Sequence, residues 1–309
     1  MYDISRLLVI LDKDKDDAQL IKSVGNFCKR APVLQVYFLH VAKSLEIPDD
    51  LKEKYPNLLA PVDESIRKEI ETEVEKSFID SPDVAIEVLV EEGNEVKTIL
   101  KKIKIKEIDL TIINLDKENK KSTHLVEKVV QLAKCSVVVV PKDRVIHDRE
   151  INKMLVPIDF SETSKMAVQM ALAFQKGLDN AEIIFQHVYS VPAGYHTSGK
   201  SYEEFAKVME ENAKKMHKKF TANIEMGEVK SKCIYTLDEN EEPSDKIHLA
   251  ALEEKVNAIA IGSKGRSGAA SFLLGSTTER LLRYHADLPI FVVKDKKEQF
   301  DIFDALKAI

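Results

Sequence analysis

Short apolar runs rich in β-branched residues alternate along the chain with longer amphipathic stretches. In the second half, "MLVPID", "AEIIFQHVYS", "VKSKCIYTL", "NAIAIG" and "LPIFVVK" predict strands. Between them, "SETSKMAVQMALAFQKG", "SYEEFAKVMEENAKKMHKKF", "SDKIHLAALEEK" and "STTERLLRYH" predict helices. Ser161 or Ser164 is placed to cap the first of these helices and Gly177 to close it. Nearly continuous apolar strands separated by helices predict a parallel sheet covered on both faces, the doubly wound α/β arrangement.

The pattern occurs twice. "RLLVILD" ends at Asp12 and "KMLVPID" at Asp159, while "YFLHV" carries His40 and "IFQHV" carries His187, and both pairs are separated by one interval (159 − 12 = 147; 187 − 40 = 147). Further on, "IDLTIIN" answers "VNAIAIG" and "CSVVVVPK" answers "LPIFVVK". Two tandem doubly wound domains are expected, 1–143 and 151–309, joined through the polar "KDRVIHDREINK" with the boundary near Arg144 to Ile151. A length of 309 residues agrees with about two domains.

Composition narrows the chemistry. With 44% hydrophobic and 32% charged residues the chain can build real cores. A net charge of −6 argues against nonspecific nucleic-acid binding, which needs cationic surface to displace phosphate counterions. The lysine runs "LKKIKIKEI" and "AKKMHKKF" interleave with apolar positions and read as solvated helix faces. Cys28, Cys135 and Cys233 are far apart and suggest neither a disulfide framework nor a zinc site. The N-terminus lacks a signal-peptide pattern and no apolar run reaches the roughly 18 residues of a membrane span, so the expected location is cytoplasmic. His40 and His187 lie in strands and read as core histidines, while His196, His217 and His285 have no metal-like spacing. The tail places Phe300, Phe303, Leu306 and Ile309 at helical spacing, which suggests docking on a domain or partner.

The glycines carry the most specific signal. "IGSKGRSGAASFLLGSTTERLLRYH", starting at Ile261, follows a predicted strand and leads into a predicted helix, so it lies where open α/β sheets bind ligands. Glycine permits positive φ and close approach of backbone to an anion, and the following helix N-terminus favours negative charge. Ser276 and Thr277 add hydroxyl donors. The competing expectation is purely local: Ser276 through Glu279 fits a capping box and Gly275 a turn.

Gly262, Gly265 and Gly275-Ser276, together with "MLVPIDFSETS" and "FQHV", resemble the nucleotide-binding signature of the universal stress protein family. The resemblance runs over both copies and is similar to the tandem type, with an adenine nucleotide alpha hydrolase-like fold. It implies ATP as ligand, with or without Mg2+. By matching positions it places Pro157, Asp159 and Val188 in the adenosine pocket, Ile261 and Gly262 beside the ribose, and Gly265, Gly275, Ser276 and Thr277 around the phosphates. Asp159 has the alternative expectation of capping the next helix. The resemblance also implies pairing of the terminal strands "SVVVVP" and "PIFVVK" in an intramolecular pseudo-dimer, and leaves a homodimer open.

The first copy departs from the signature. "LDKENKKSTHLVEKVV" contains no glycine, its loop is about four residues shorter if its helix starts near His124, and Ile10 replaces the proline, although Asp12 and Val41 persist. One nucleotide site, in the second copy, is expected. "GYHTSGKS", Gly194 to Ser201, also satisfies the P-loop pattern, but a proline precedes it and no acidic strand end follows. The expectation is that Lys200 is a lid residue reaching the phosphates. Three function classes follow: a nucleotide-dependent stress or signalling module, a slow ATPase or autophosphorylating enzyme using an acceptor among Ser267, Ser271, Ser276 and Thr277, and a ligand-free scaffold. No convincing general base stands out, so efficient catalysis is not expected.

Overall fold

The computed structural model describes residues 4–42, 62–78, 83–142, 151–240, 242–265 and 274–295. Most of the predicted linker, Ser267, Ser271 and the C-terminal apolar tail lie outside them. The chain divides into two compact units, Asp3–Asp148 and Arg149–Ile309.

The N-terminal unit runs β1 (Arg6–Ile10), α1 (Asp17–Cys28), β2 (Gln35–Ala42), α2 (Val62–Ser77), β3 (Ala85–Glu92), α3 (Glu95–Ile105), β4 (Leu110–Leu115), α4 (Lys120–Leu132) and β5 (Ser136–Pro141). Its strands are parallel and ordered β3-β2-β1-β4-β5. The C-terminal unit repeats the scheme with β6 (Lys153–Pro157), α5 (Glu162–Gln175), β7 (Glu182–Tyr189), α6 (Tyr202–Thr221), β8 (Lys230–Leu237), α7 (Pro243–Glu253), β9 (Ala258–Gly262), α8 (Ser276–Tyr284) and β10 (Ile290–Val293). Its order is β8-β7-β6-β9-β10, again parallel. In both units the order reverses beside the first strand, which opens a crevice there at the carboxyl ends.

The periodicities explain the layers. β4, β5, β9 and β10 are buried along their whole length, as strands covered on both faces require. α6 buries Ala206 and Ala213 and turns Lys214, Lys215, Lys218 and Lys219 to solvent, so its lysine run is a wet helix face. Ser161 supplies the N-cap of α5 by accepting from the Ser164 N–H, and Gly177 follows its end at φ 75°.

The repeat extends to a fine detail at the rim of each crevice. His40 Nδ1 donates to the Leu11 carbonyl at 2.9 Å and His187 Nδ1 to the Ile158 carbonyl at 2.8 Å. The residue after each strand-end aspartate, Lys13 or Phe160, is left-handed at φ 62° or 65°. That conformation costs a side-chain-bearing residue about 1 kcal/mol or more. In the C-terminal unit it is supported by packing of the Phe160 ring against His187 and Phe220, with centroids 4.5 and 5.7 Å away.

Candidate functional site

Beyond β6 the chain must turn sharply into α5, and polar side chains hold that turn. Asp159 Oδ1 accepts from the Ser161 N–H at 3.0 Å and from the Ser161 hydroxyl at 2.5 Å. Ser161, not Asp159, caps α5, so Asp159 is an oriented carboxylate on the rim of the crevice. Its Oδ2 faces Gly265, where an added Cβ would stand 3.0 Å away. Across the crevice, Thr163 donates its hydroxyl to the Lys264 carbonyl at 2.7 Å and the Gly275 N–H bonds the Ser263 carbonyl at 2.8 Å. Thr278 donates to the Gly262 carbonyl at 2.9 Å. These bonds pin both described ends of the glycine segment.

The glycines are needed for space rather than for positive φ, which corrects part of the expectation. Gly93, Gly177, Gly199 and Gly227 are the glycines with positive φ among the described residues; Gly262, Gly265 and Gly275 are not. A Cβ on Gly262 would lie 3.0 Å from the Thr163 backbone, because the first turn of α5 packs directly on the end of β9. Gly275 occupies the N-cap of α8 and brings no side-chain cap. Ser276 is therefore the first helical residue and the anticipated capping box does not form. Among the described residues no side chain caps the first N–H groups of α8, which lie at the positive end of the helix dipole.

One cleft of about 270 Å³ gathers these groups, close to the ~300 Å³ at which small-molecule sites begin. Pro157, Asp159, Val188, Ile261, Gly262, Gly265, Gly275, Ser276 and Thr277, all singled out in the sequence, line it. Lys200 does not. It is exposed, next to Gly199 at φ 72°, which ends a short 3-10 helix at Ala193–Ser198. Ser201 then caps α6, accepting from the Glu204 N–H at 3.2 Å while its own N–H donates to the Glu204 carboxylate at 2.9 Å. "GYHTSGKS" is thus a helix-capping turn and not a phosphate cradle.

Sequence reasoning passed over Ser164, Gln186, Pro243, Ile247, Lys264 and Thr278, which also line the cleft. Lys264 could have been found as a cation inside the glycine stretch, whereas Pro243 and Ile247 carry no local signal beyond a helix start. α7 and α8, which both contribute walls, are stitched by polar contacts. Arg280 reaches Glu242 at 3.1 Å and Ser244 at 3.3 Å, and His285 Nε2 stands 2.8 Å from Asp245, whose carboxyl it holds below the usual range. The His285 ring stacks on His248 at 4.5 Å.

At the corresponding crevice of the N-terminal unit, charged side chains bond one another and the backbone. Asp17, the counterpart of Ser164 (164 − 147 = 17), turns its carboxylate to the Asp12 and Lys13 N–H groups at 3.3 and 2.7 Å. Lys142, at the end of β5, bridges Asp12 at 2.8 Å and Asp14, across the end of the intervening β4. Burial opposes the Lys142 charge, but its hydrogen bonds to Asp12 and Asp14 outweigh this and raise its pKa. Asn114 stands at the end of β4 where β9 has Gly262. α4 begins at Lys120, earlier than the sequence suggested, because the Asn119 side chain accepts from the Lys121 N–H at 3.0 Å. Only residues 116–119 are left between β4 and α4, whose first turn caps itself.

The family model described as the universal stress protein family matches residues 150–294, which contain the whole cleft. Universal stress protein MJ0577 of Methanocaldococcus jannaschii is 32% identical over 159 residues, covering 47% of this chain and 95% of that relative. The chain belongs to the universal stress protein family. Universal stress protein YxiE of Bacillus subtilis is 31% identical over 148 residues, 46% of this chain and 99% of the relative. Each of these universal stress proteins therefore matches about half of the present one. In fold, the chain resembles a universal stress protein from Archaeoglobus fulgidus with a TM-score of 0.62 and 19% identity, over 95% of this chain and 97% of that one.

Proposed function

We propose that this universal stress protein is a cytoplasmic, nucleotide-dependent stress or signalling module that binds one ATP per chain, in the cleft of the C-terminal unit. The observation that carries the reading is the convergence of an uncapped helix N-terminus, Lys264 and close-packed glycine backbone at β9 with an oriented Asp159 at β6 and an apolar wall at Val188, Pro243 and Ile247. The first group suits a polyphosphate, Asp159 accepts from a sugar hydroxyl, and the apolar wall accommodates a base. Added Cβ atoms at Gly262 and Gly265 would fill the cradle. Among the described residues no cluster of three or more His, Cys, Asp or Glu could hold a metal, so Mg2+ would arrive with the phosphates. Among the described residues Asp159 is the carboxylate that lines the cleft, and its Oδ1 is held by Ser161. The reading is of a binding module, with slow ATP hydrolysis as the alternative that phosphate release would reveal.

Isothermal titration of the full chain is expected to give one ATP per chain, accompanied by a rise in Tm that grows with ATP above Kd. Two sites would overturn the single-site assignment. No binding would overturn the nucleotide reading.

A further inference from the structure

We infer that the Gln186 side chain reads the nucleobase, its Oε1 accepting a hydrogen bond from the exocyclic amino group of adenine, so that the cleft favours adenine over 6-oxopurine nucleotides. This rests on the nucleotide reading above and adds a selectivity determinant to it.

Gln186 lies on β7, in register with Pro157 on β6, and is fully buried while lining the cleft. Both amide hydrogens are spent: Nε2 donates to the Lys246 carbonyl at 3.1 Å and to the Thr236 hydroxyl at 3.0 Å. A backbone carbonyl only accepts, so the Lys246 bond fixes which end of the amide is nitrogen. Oε1 is buried and, among the described residues, has no donor. An orphaned acceptor of this kind is destabilising.

The internal repeat shows that the fold does not require this cost. The position equivalent to Gln186 in the first copy is Leu39 (186 − 147 = 39), fully buried and apolar. At this position of β2 the first copy has a leucine, and the copy with the glycine-lined cleft has an amide with an orphaned oxygen. β7 lies on the far side of β6 from β9, so Gln186 stands two strand spacings, about 10 Å, from the glycine segment. That is the span from phosphates to base. With its donors committed, Gln186 offers a ligand only an acceptor. The C6 amino group of adenine complements it, whereas the C6 carbonyl of hypoxanthine or guanine would set two acceptors face to face.

The full-length protein should bind ATP at least about tenfold more tightly than ITP, the loss expected when a buried acceptor stays unpaired. Gln186→Leu, which installs the residue of the first copy, should bring the ATP-to-ITP ratio to within about threefold, chiefly by weakening ATP. If that variant unfolds, the near-isosteric Gln186→Met and the wild-type ratio of ATP to purine riboside triphosphate, which lacks a C6 substituent, read the same bond. Wild-type protein that binds ATP and ITP equally, or a variant that keeps the wild-type ratio, overturns the role of Gln186 and leaves the nucleotide reading intact. Failure of wild-type protein to bind any of the three nucleotides overturns both.

Discussion

The two halves of the chain share a strand order, a histidine latch and a left-handed residue at the rim, yet differ in what occupies the crevice those features create. In the C-terminal unit small residues and unspent polar groups surround a cleft. In the N-terminal unit Asp17, Asn114 and the Lys142 bridge stand at the same place, and four loop residues replace the glycine segment. The backbone that makes a binding site is therefore separable from the side chains that leave it open. The topology makes a crevice in both units, and the residues at its rim decide what space is left there.

Exchanging residues between equivalent positions tests this. The largest effect is expected from Gly262→Asn, which gives β9 the residue that ends β4. Its Cβ meets the Thr163 backbone, so the first turn of α5 must shift, at roughly 1–3 kcal/mol in stability. ATP affinity should fall by about 100-fold or more, since the same shift moves Ser161 and with it Asp159. Titration calorimetry showing near-native affinity in the folded variant would mean that close packing at Gly262 is irrelevant to the site.

A smaller effect concerns pH and belongs to the first copy. Burial pushes the Asp17 carboxyl up to about 6, against the lowering influence of the Lys13 N–H. Because this exceeds the unfolded value, the folded unit holds the proton between about pH 4 and 6. The stability it contributes is complete below about pH 4 and is lost as pH rises through 6, by about 2–3 kcal/mol in all. Asp17→Asn should flatten that part of the pH profile, read by hydrogen exchange of the β1 amides corrected for intrinsic rates. An unchanged difference between pH 4 and pH 7 would show that the carboxyl is not desolvated. The smallest effect is expected at Lys200, where Lys200→Ala should leave ATP affinity within about twofold, as solvent exposure away from the cleft requires. A larger loss would restore the phosphate-binding role suggested by the GxxxxGKS pattern.

The fold was legible because hydrophobic period and length agree in every strand and helix of the second half, and because an offset of 147 residues recurs at Asp12/Asp159 and His40/His187. The glycine end of the cleft was legible for a related reason, since glycines between a strand and a helix mark close approach of the backbone. What escaped depends on distance in space. Pro243, Ile247 and Gln186 reach the cleft through helix packing, and Gln186 becomes informative only when its amide is seen to lack one partner. Lys200 stands off the described cleft for the opposite reason. A short motif matched while its surroundings, a 3-10 helix and a capping box, served only to start α6.

The missing cap of α8 has a mechanical consequence. A helix that does not finish its own first turn is completed by what it grips, so an anion at Ser276 and Thr277 would tighten that turn. Arg280 and His285, further along the same helix, carry the strain to Glu242, Ser244 and Asp245. An anion seated at that end would thus be felt, through these contacts, by the neighbouring helix α7.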